Sequence, residues 1–187
     1  MSEPVSGSIE LSGDGLLLRP YRPEDSRELV AAVRESVASV GAWLPWCHAG
    51  YGDAEADAWI AHCGDAWRSG EHFAFAVFEG MTGQFLGAAG LNQRNREHNF
   101  MNLGYWVRTS RAGHGVASAA ARLCARFAFA ELGFGRAEIV VIRANLASCR
   151  AAEKSGARFE GFLRNRLYLH GDWHEAAMYS FVPGDLA

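Results

Sequence analysis

A glycine-rich turn between an aromatic strand and the clearest helix of the chain is the feature that most constrains its fold. Residues 108–118 read Arg-Thr-Ser-Arg-Ala-Gly-His-Gly-Val-Ala-Ser. Backbone N–H groups at the start of a helix lack partners within the helix, and the helix dipole adds positive potential there. Gly113 and Gly115 let an anion approach the backbone closely, and Arg108 and Arg111 supply charge. The stretch predicts a phosphate or pyrophosphate site, although the same glycines would also suit a plain strand-to-helix turn.

Strand-like and helical runs follow one another in the order β, α, α, three strands, α, β, α, β, β. This order is neither a regular βαβ alternation nor an all-β pattern. It predicts an α/β (α+β) fold with a mixed, mostly antiparallel sheet flanked by helices. The predicted strands are residues 16–18, 73–77, 85–91, 100–107, 137–142, 158–169 and 173–182. Two helices are predicted to begin at Pro23 and at a cap on Asp53. Two more are predicted over residues 116–132 and 146–155.

Length and composition predict a single domain and argue against nucleic acid and membranes as its partners. The 187 residues suit one domain over residues 15–187, preceded by a flexible, Ser/Gly-rich segment over residues 1–14. A net charge of −3 argues against nucleic acid as the main partner. No apolar run reaches the roughly 18–20 residues that span a bilayer, and no signal peptide is evident, so we expect no membrane contact and a cytoplasmic location.

The cysteines and histidines are the residues that could supply metal ligands. The four cysteines are widely spaced, which is typical of reduced thiols in a chain without a secretion signal. Cys47-His48 and His62-Cys63 are adjacent pairs, but their spacing matches no zinc pattern. We therefore predict no metal site.

A dinucleotide-binding turn is an alternative interpretation of the glycines. That motif needs a third glycine or alanine in the turn and an acidic residue at the end of the next strand. Ser118 occupies the third position, and the next strand ends at Ile142-Arg143 without an acid. The preceding strands also read as an antiparallel meander, which disfavours this alternative.

Several stretches together resemble the acyl-CoA-binding core of GNAT acetyltransferases. They are L-G-Y-W-V, then R-A-G-H-G-V-A, then N-L-A-S-C-R-A-A-E-K-S-G-A. The opening L-R-P-Y-R-P-E-D, the W-L-P-W loop and the ending H-G-D-W-H-E resemble the ribosomal-protein N-terminal acetyltransferase (RimJ/RimL-type) branch of that family. The resemblance implies a GNAT fold, acetyl-CoA as cosubstrate, and acetyl transfer to an amine in a ternary complex. One departure is Ala112, where the family usually has Arg or Gln before the first glycine.

The resemblance also implies roles for individual residues in binding acetyl-CoA. Backbone groups of Tyr105, Trp106 and Val107 would pair with the pantetheine arm like an added strand. Asn145 would hydrogen-bond the same molecule, although an Asn in that place also suits a helix cap. The pyrophosphate would be held by the amides of Gly113, His114, Gly115, Val116, Ala117 and Ser118.

Catalysis needs a neutral amine, donors for the oxyanion and a proton for the departing thiolate. Many GNAT enzymes have a Tyr where this chain has Ala152. The RimJ/RimL-type branch tends to have a Ser three residues after the Asn, so the resemblance implies that Ser148 is the donor to the leaving sulfur; a backbone-capping serine is the alternative. No base is evident among the considered groups, which are His98, Asn102, Glu175 and water.

The acceptor is the least defined partner. Trp43 and Trp46 lie where the related enzymes build a wall of the acceptor pocket, and core packing is the alternative. A protein N-terminus, a polyamine, an amino acid or an aminoglycoside would each suit a mildly acidic protein. A non-catalytic acyl-CoA sensor and a nucleotide-dependent oxidoreductase are the rival functions, and a homodimer is common in the family.

Overall fold

Eight strands and four helices make up the part of the chain that the structure, a computed structural model, describes, residues 9–186. The strands are β1 (Leu11–Gly13), β2 (Leu16–Pro20), β3 (Phe73–Glu79), β4 (Phe85–Asn95), β5 (Phe100–Val107), β6 (Arg136–Ile142), β7 (Arg158–Leu169) and β8 (Asp172–Phe181). The helices are α1 (Ser26–Glu35), α2 (Asp53–Ser69), α3 (Val116–Ala130) and α4 (Leu146–Lys154).

All eight strands form one mixed sheet in the order β1-β2-β3-β4-β5-β6-β8-β7. Every neighbouring pair is antiparallel except β5 and β6, which are parallel. The predicted mixed, mostly antiparallel sheet is therefore confirmed. The strand predicted over Phe100–Val107 has the same bounds in the structure.

The two faces of the sheet carry different helices because alternate side chains of each strand point to opposite faces. One apolar cluster joins α3 to the sheet and includes Leu103, Leu123 and Phe127. A second cluster joins α1 and the first half of α2 to the other face and includes Val33, Ile60 and Phe85. Strand β3 is buried along almost its whole length, as expected for a strand covered on both faces.

Two expectations about element boundaries are corrected. Leu11–Gly13, within the segment expected to be flexible, instead form β1, because Leu11 pairs with Leu18 across a tight turn. Residues 1–8 lie outside the described residues. The cap of α2 is Gly52 rather than Asp53, and the Gly52 N–H donates to the Glu55 carboxylate at 3.3 Å.

Candidate active site

A gap opens in the sheet between β5 and β6. The two strands pair only over Phe100–Asn102 and residues 136–138, after which they diverge. The predicted splay between the strands that end at Val107 and Ile142 is therefore present. It leaves one edge of β5 without a neighbouring strand over residues 103–107.

The alternation of an antiparallel ladder decides which backbone groups of β5 face this gap. The Arg108 N–H donates to the Leu86 carbonyl of β4 at 2.9 Å. Backbone groups of successive residues point to opposite edges of a strand, so those of Val107 and Tyr105 face the gap. Those of Trp106 face β4, contrary to the expectation that Trp106 pairs with a ligand through its backbone.

The glycine-rich turn lies between the end of β5 and the start of α3. A short 3₁₀ turn over Thr109–Arg111 leads into it, and Gly113 and Gly115 have φ of 81° and 82°. The first N–H of this helix with a backbone partner is that of Ala119, which donates to the Gly115 carbonyl. Within residues 9–186, the N–H groups of Gly113, His114, Gly115, Val116, Ala117 and Ser118 have no hydrogen-bond partner.

These unpaired amides lie at a solvent-exposed helix N-terminus. Residues 112–115 are exposed, whereas Val116 and Ser118 are buried beneath them. The spacing of the apolar residues Val116, Ala120 and Leu123 predicts that Ser118 lies on the opposite, exposed face of the helix. In the structure its hydroxyl instead points inward and donates to the Gly115 carbonyl at 2.9 Å. Amides in this arrangement, with the helix dipole behind them, bind anions.

The two arginines beside the turn have other partners in the structure. Arg108 donates to the Phe85 carbonyl at 3.0 Å and forms an ion pair with Glu35. Arg111 Nε donates to the Gln84 side chain at 3.1 Å, and its Nη2 lies 3.4 Å from the Glu79 carboxylate. These bonds engage both side chains within the protein, and their predicted contact with phosphate stays a prediction.

Asn145 and Ser148 lie at the N-terminus of α4, on the other side of the gap. Asn145 is the cap of this helix, and its Oδ1 accepts from the Ser148 N–H at 3.1 Å. The capping alternative is thus correct for Oδ1. The Asn145 Nδ2 has no partner in the described part of the chain, so the same side chain keeps a donor for a ligand.

The side chain of Tyr105 connects β5 to Ser148. Its hydroxyl donates to the Ser148 carbonyl at 3.0 Å, and the Ser148 hydroxyl donates to the Tyr105 oxygen at 3.3 Å. Burial raises the pKa of Tyr105 to about 12, so this phenol stays protonated at neutral pH. Ser148 itself is half-buried and lies beside the gap.

The loop after α1 brings one of the two predicted acceptor-site tryptophans to the end of β5. The Trp46 ring lies 5.4 Å from that of Trp106, in an edge-to-face arrangement, and is 40% exposed. Trp43 is half-buried in the same loop. His170, at the tip of the β7–β8 hairpin, lies 3.2 Å from the Ala42 carbonyl, so the hairpin contacts this loop.

A family model described as an acetyltransferase (GNAT) domain matches residues 15–158, well over half of the chain. The chain belongs to the GNAT acetyltransferase family. The resemblance seen in the sequence motifs is therefore confirmed. Membership in this family removes the nucleotide-dependent oxidoreductase alternative.

The proteins similar to this GNAT acetyltransferase include some that are named as ribosomal-protein acetyltransferases. YdaF of Bacillus subtilis (strain 168), whose name assigns it to the ribosomal N-acetyltransferases, is 25% identical over 169 residues, which cover 89% of this chain and 91% of YdaF. RimL, a ribosomal L7/L12 alpha-N-protein acetyltransferase solved in complex with coenzyme A, has a TM-score of 0.83 at 21% identity, covering 96% of this chain and 100% of RimL. Mycobacterium smegmatis RimJ, solved with CoA-disulfide, has a TM-score of 0.83 at 22% identity, covering 96% of this chain and 88% of RimJ. At these identities the two structures establish the shared fold.

The side chains considered as the base of this acetyltransferase differ in position. His98 is exposed in the β4–β5 turn, at the opposite end of β5 from Val107, so its position does not suit catalysis. Asn102 donates to the Asn92 side chain at 2.8 Å. Glu175 forms an ion pair with Arg143 at 2.5 Å and lines an open cavity of about 360 Å³ beside the end of β6. Of the three, only Glu175 lies at the end of β6 where the gap is open.

Two features of the site were missed by sequence reasoning. One is the hydroxyl contact of Tyr105 with Ser148, since only the backbone of Tyr105 was considered. The other is Glu35, at the end of α1, whose carboxylate accepts from the Ser110 N–H at 3.0 Å. Strand alternation could have indicated the side to which Tyr105 points, but no local pattern indicated Glu35.

Among residues 9–186, no group of three or more His, Cys, Asp or Glu side chains could hold a metal ion. Cys47 and Cys63 are buried thiols whose pKa values are raised by burial. No helix in that range is both long enough and apolar enough to cross a membrane.

Proposed function

We propose that this acetyltransferase moves the acetyl group of acetyl-CoA to a primary amine by direct attack in a ternary complex. The observation that carries the proposal is the run of unpaired amides from Gly113 to Ser118 at an exposed helix N-terminus. Such a run, next to a gap in the sheet, suits a long ligand with a diphosphate at one end and an amide-bearing arm at the other.

The residues present fit acetyl-CoA along its length. The diphosphate accepts hydrogen bonds from the amides of the turn, with Gly113 and Gly115 offering no side chain to obstruct it. The pantetheine amides pair with the free backbone groups of Tyr105 and Val107 along the open edge of β5. Asn145 donates through Nδ2 while its Oδ1 continues to cap α4.

Ser148 is the proposed proton or hydrogen-bond donor to the departing sulfur. As the amine attacks the thioester carbon, the C–S bond breaks and negative charge develops on sulfur, which a nearby hydroxyl stabilises. Tyr105 holds Ser148 in place by donating to its carbonyl, and the Ser148 O–H, which donates to the Tyr105 oxygen in the structure, rotates to donate to the sulfur instead as charge develops there. The proton lost by the amine passes to water, which the open cavity beside Glu175 admits.

The proposed acceptor is the N-terminal amine of a ribosomal protein. The names of YdaF and RimL support this choice over a polyamine, an amino acid or an aminoglycoside. Trp46 and Trp106 would form an apolar wall for the first residues of that N-terminus. A homodimer, common in the family, stays a prediction.

The test measures cosubstrate binding and turnover separately. Calorimetry with coenzyme A should give a 1:1 complex, and a crystal soaked with coenzyme A should place its diphosphate on the amides of residues 113–118. Acetyl-CoA with a peptide that carries a ribosomal-protein N-terminus should release free thiol, with the acetyl group found on the peptide by mass spectrometry.

Different failures have different meanings. A diphosphate bound elsewhere, or no binding at millimolar coenzyme A, would reject the proposed site. Tight binding without thiol release for any amine in a broad panel would leave the acyl-CoA sensor as the better function. Acetylation of a polyamine but of no peptide would keep the reaction and reject the proposed acceptor.

A further inference from the structure

The end of α1 is bonded to the segment that connects β5 to the glycine-rich turn. Glu35 accepts from the Ser110 N–H at 3.0 Å and from the Ser110 hydroxyl at 2.8 Å. The other oxygen of the same carboxylate pairs with Arg108. One carboxylate therefore holds two residues of the segment that precedes the amides proposed to bind diphosphate.

Serine side chains from the same part of the chain extend this contact. The buried Ser36 hydroxyl donates to the Ala32 carbonyl at 2.7 Å and accepts from the Thr109 N–H at 3.0 Å. The Ser39 and Thr109 hydroxyl oxygens lie 2.6 Å apart. We call Glu35, Ser36 and Ser39 the α1 clamp.

The glycines of the turn have no close packing neighbours. An added Cβ at Gly113 or Gly115 would meet no atom within 4 Å, so nothing packs closely over these residues. Inside the segment, the Arg111 and Ala112 N–H groups donate to the Arg108 and Thr109 carbonyls. The position of the turn is thus set by α3 on one side and, on the other side, by a short segment that the α1 clamp and the contacts of Arg108 with Phe85 and of Arg111 with Gln84 hold.

We propose that Glu35 is a positioning residue for the diphosphate-binding turn, acting through Ser110 and Arg108 rather than by touching acetyl-CoA. The proposal rests on the proposed function. It assigns a role in cosubstrate affinity to Glu35, the last residue of α1, although the loop after α1 carries the predicted acceptor-site residues Trp43 and Trp46. Fixing the turn before binding saves the entropy of ordering it in the complex.

The sign of the effect separates positioning from direct electrostatics. A carboxylate near a diphosphate repels it, so on charge alone the removal of Glu35 would strengthen binding. Positioning predicts the opposite, because loss of the carboxylate releases Ser110 and leaves Arg108 bonded to Phe85 and Leu86 but not to α1, so the turn can move. The Arg108 hydrogen bond lowers the pKa of Glu35 to about 2, so the charge comparison holds at any ordinary assay pH.

The experiment uses two substitutions that remove different parts of the contact. Glu35→Ala removes all of it, whereas Glu35→Gln keeps an acceptor for Ser110 and loses the ion pair with Arg108. We expect the Kd for coenzyme A to rise about tenfold in Glu35→Ala and about threefold in Glu35→Gln, as for the loss of hydrogen bonds to a charged group. The kcat at saturating acetyl-CoA should stay within about twofold of the wild type, since binding rather than chemistry is affected.

The control variant is Glu97→Gln. Glu97 is exposed in the β4–β5 turn and makes no ion pair with any described residue. Its substitution removes one negative charge far from the turn and should leave the Kd unchanged. A Kd that falls or stays constant in both Glu35 variants would overturn the proposal, whereas a wild type that does not bind coenzyme A would count against the proposed function instead.

A double-mutant cycle tests the route through Ser110, and it remains informative if Glu35→Ala does not fold. Ser110→Ala removes the hydroxyl contact with Glu35 and should raise the Kd about twofold in the wild type. On the Glu35→Gln background the neutral amide oxygen accepts from Ser110 more weakly than the carboxylate does, so the same substitution should add less than it does alone. Fully additive effects, or a fall in kcat with an unchanged Kd, would contradict positioning through Ser110.

Discussion

The phenol of Tyr105 and the hydroxyl of Ser148 are hydrogen-bonded across the mouth of the gap between β5 and β6. Tyr105 donates to the Ser148 carbonyl at 3.0 Å and accepts from its hydroxyl at 3.3 Å. Since the Ser148 N–H is also bound to Asn145, the first turn of α4 is held from two directions. The pair fixes the position of the one hydroxyl proposed to face the departing sulfur.

Ser148→Ala should lower kcat about 10- to 100-fold, the effect of losing a hydrogen bond to a developing charge. The Kd for coenzyme A should stay unchanged, because the backbone of residue 148 is still capped by Asn145. Steady-state kinetics and calorimetry on the same preparation measure both quantities. Ser12→Ala, at an exposed position on β1, is the control. Full kcat in Ser148→Ala would show that its hydroxyl only completes the helix turn.

Tyr105→Phe should lower kcat by less than Ser148→Ala, about three- to tenfold, because the Ser148 hydroxyl stays but the bond from Tyr105 that holds the Ser148 carbonyl is lost. Burial raises the pKa of Tyr105 to about 12, so the phenol does not ionise in the assay range. The pH–rate profiles of the variant and the wild type should therefore be parallel below about pH 10. A basic limb present only in the wild type would mean that Tyr105 itself exchanges protons with the substrate.

Local sequence pattern predicted most of the fold. Strands β5 and β7 have the predicted bounds, because alternating apolar residues and flanking turns determine them within a few neighbours. Strand β1 was missed, since Leu-Ser-Gly has no strand-like pattern and becomes a strand only by pairing with β2. Elements that depend on a partner elsewhere in the chain are those that the pattern does not reveal.

The same distinction applies to the site. The amide turn could be predicted because its glycines, its helix and its dipole are contiguous. The contact of Tyr105 with Ser148 joins residues 43 positions apart, and that of Glu35 with Ser110 joins residues 75 positions apart. The carboxylate partners of Arg108 and Arg111, Glu35 and Glu79, are distant in sequence as well, so no local pattern indicates them.

Gly115→Ala should weaken both folding and coenzyme A binding. Gly115 has a φ of 82°, where a residue with a Cβ costs about 1 kcal/mol or more. Gly64→Ala is the matched control, since Gly64 lies inside α2, is exposed, and an added Cβ there meets nothing within 4 Å. That substitution should instead stabilise the protein by about 0.5–1 kcal/mol. Urea unfolding of both variants checks the opposite signs.

Glu160 should contribute stability that is lost in acid. The hydrogen bond from Arg136 lowers the pKa of Glu160 to about 2, against an ordinary value of 4.5, with a further bond from Ser180. A carboxyl whose pKa is lower in the folded state than in the unfolded state stabilises the protein at pH values above its unfolded-state pKa. That contribution is lost as the pH falls towards the folded-state pKa. Glu160→Gln should therefore lower Tm at pH 7, and its difference from the wild type should shrink from about pH 4.5 to pH 2.

Comparison with Glu97→Gln isolates this effect from the change in net charge. If the Tm difference between Glu160→Gln and the wild type were the same at pH 7 and near pH 2, the Arg136 contact would not be its source. Circular dichroism melts in matched buffers of constant ionic strength make the comparison, since salt screens the more exposed charges.

Asn145 combines a cap and a proposed ligand contact, and two substitutions separate them. Asn145→Ala loses both, so it should cost about 1 kcal/mol of stability and weaken coenzyme A binding. Asn145→Ser keeps an oxygen that can accept from the Ser148 N–H, but it has no amide to donate to the cosubstrate. The Ser variant should therefore unfold within about 0.5 kcal/mol of the wild type while binding coenzyme A as weakly as the Ala variant. If the Ser variant bound coenzyme A like the wild type, the cap alone would explain Asn145, because a preserved helix start would then be sufficient for binding.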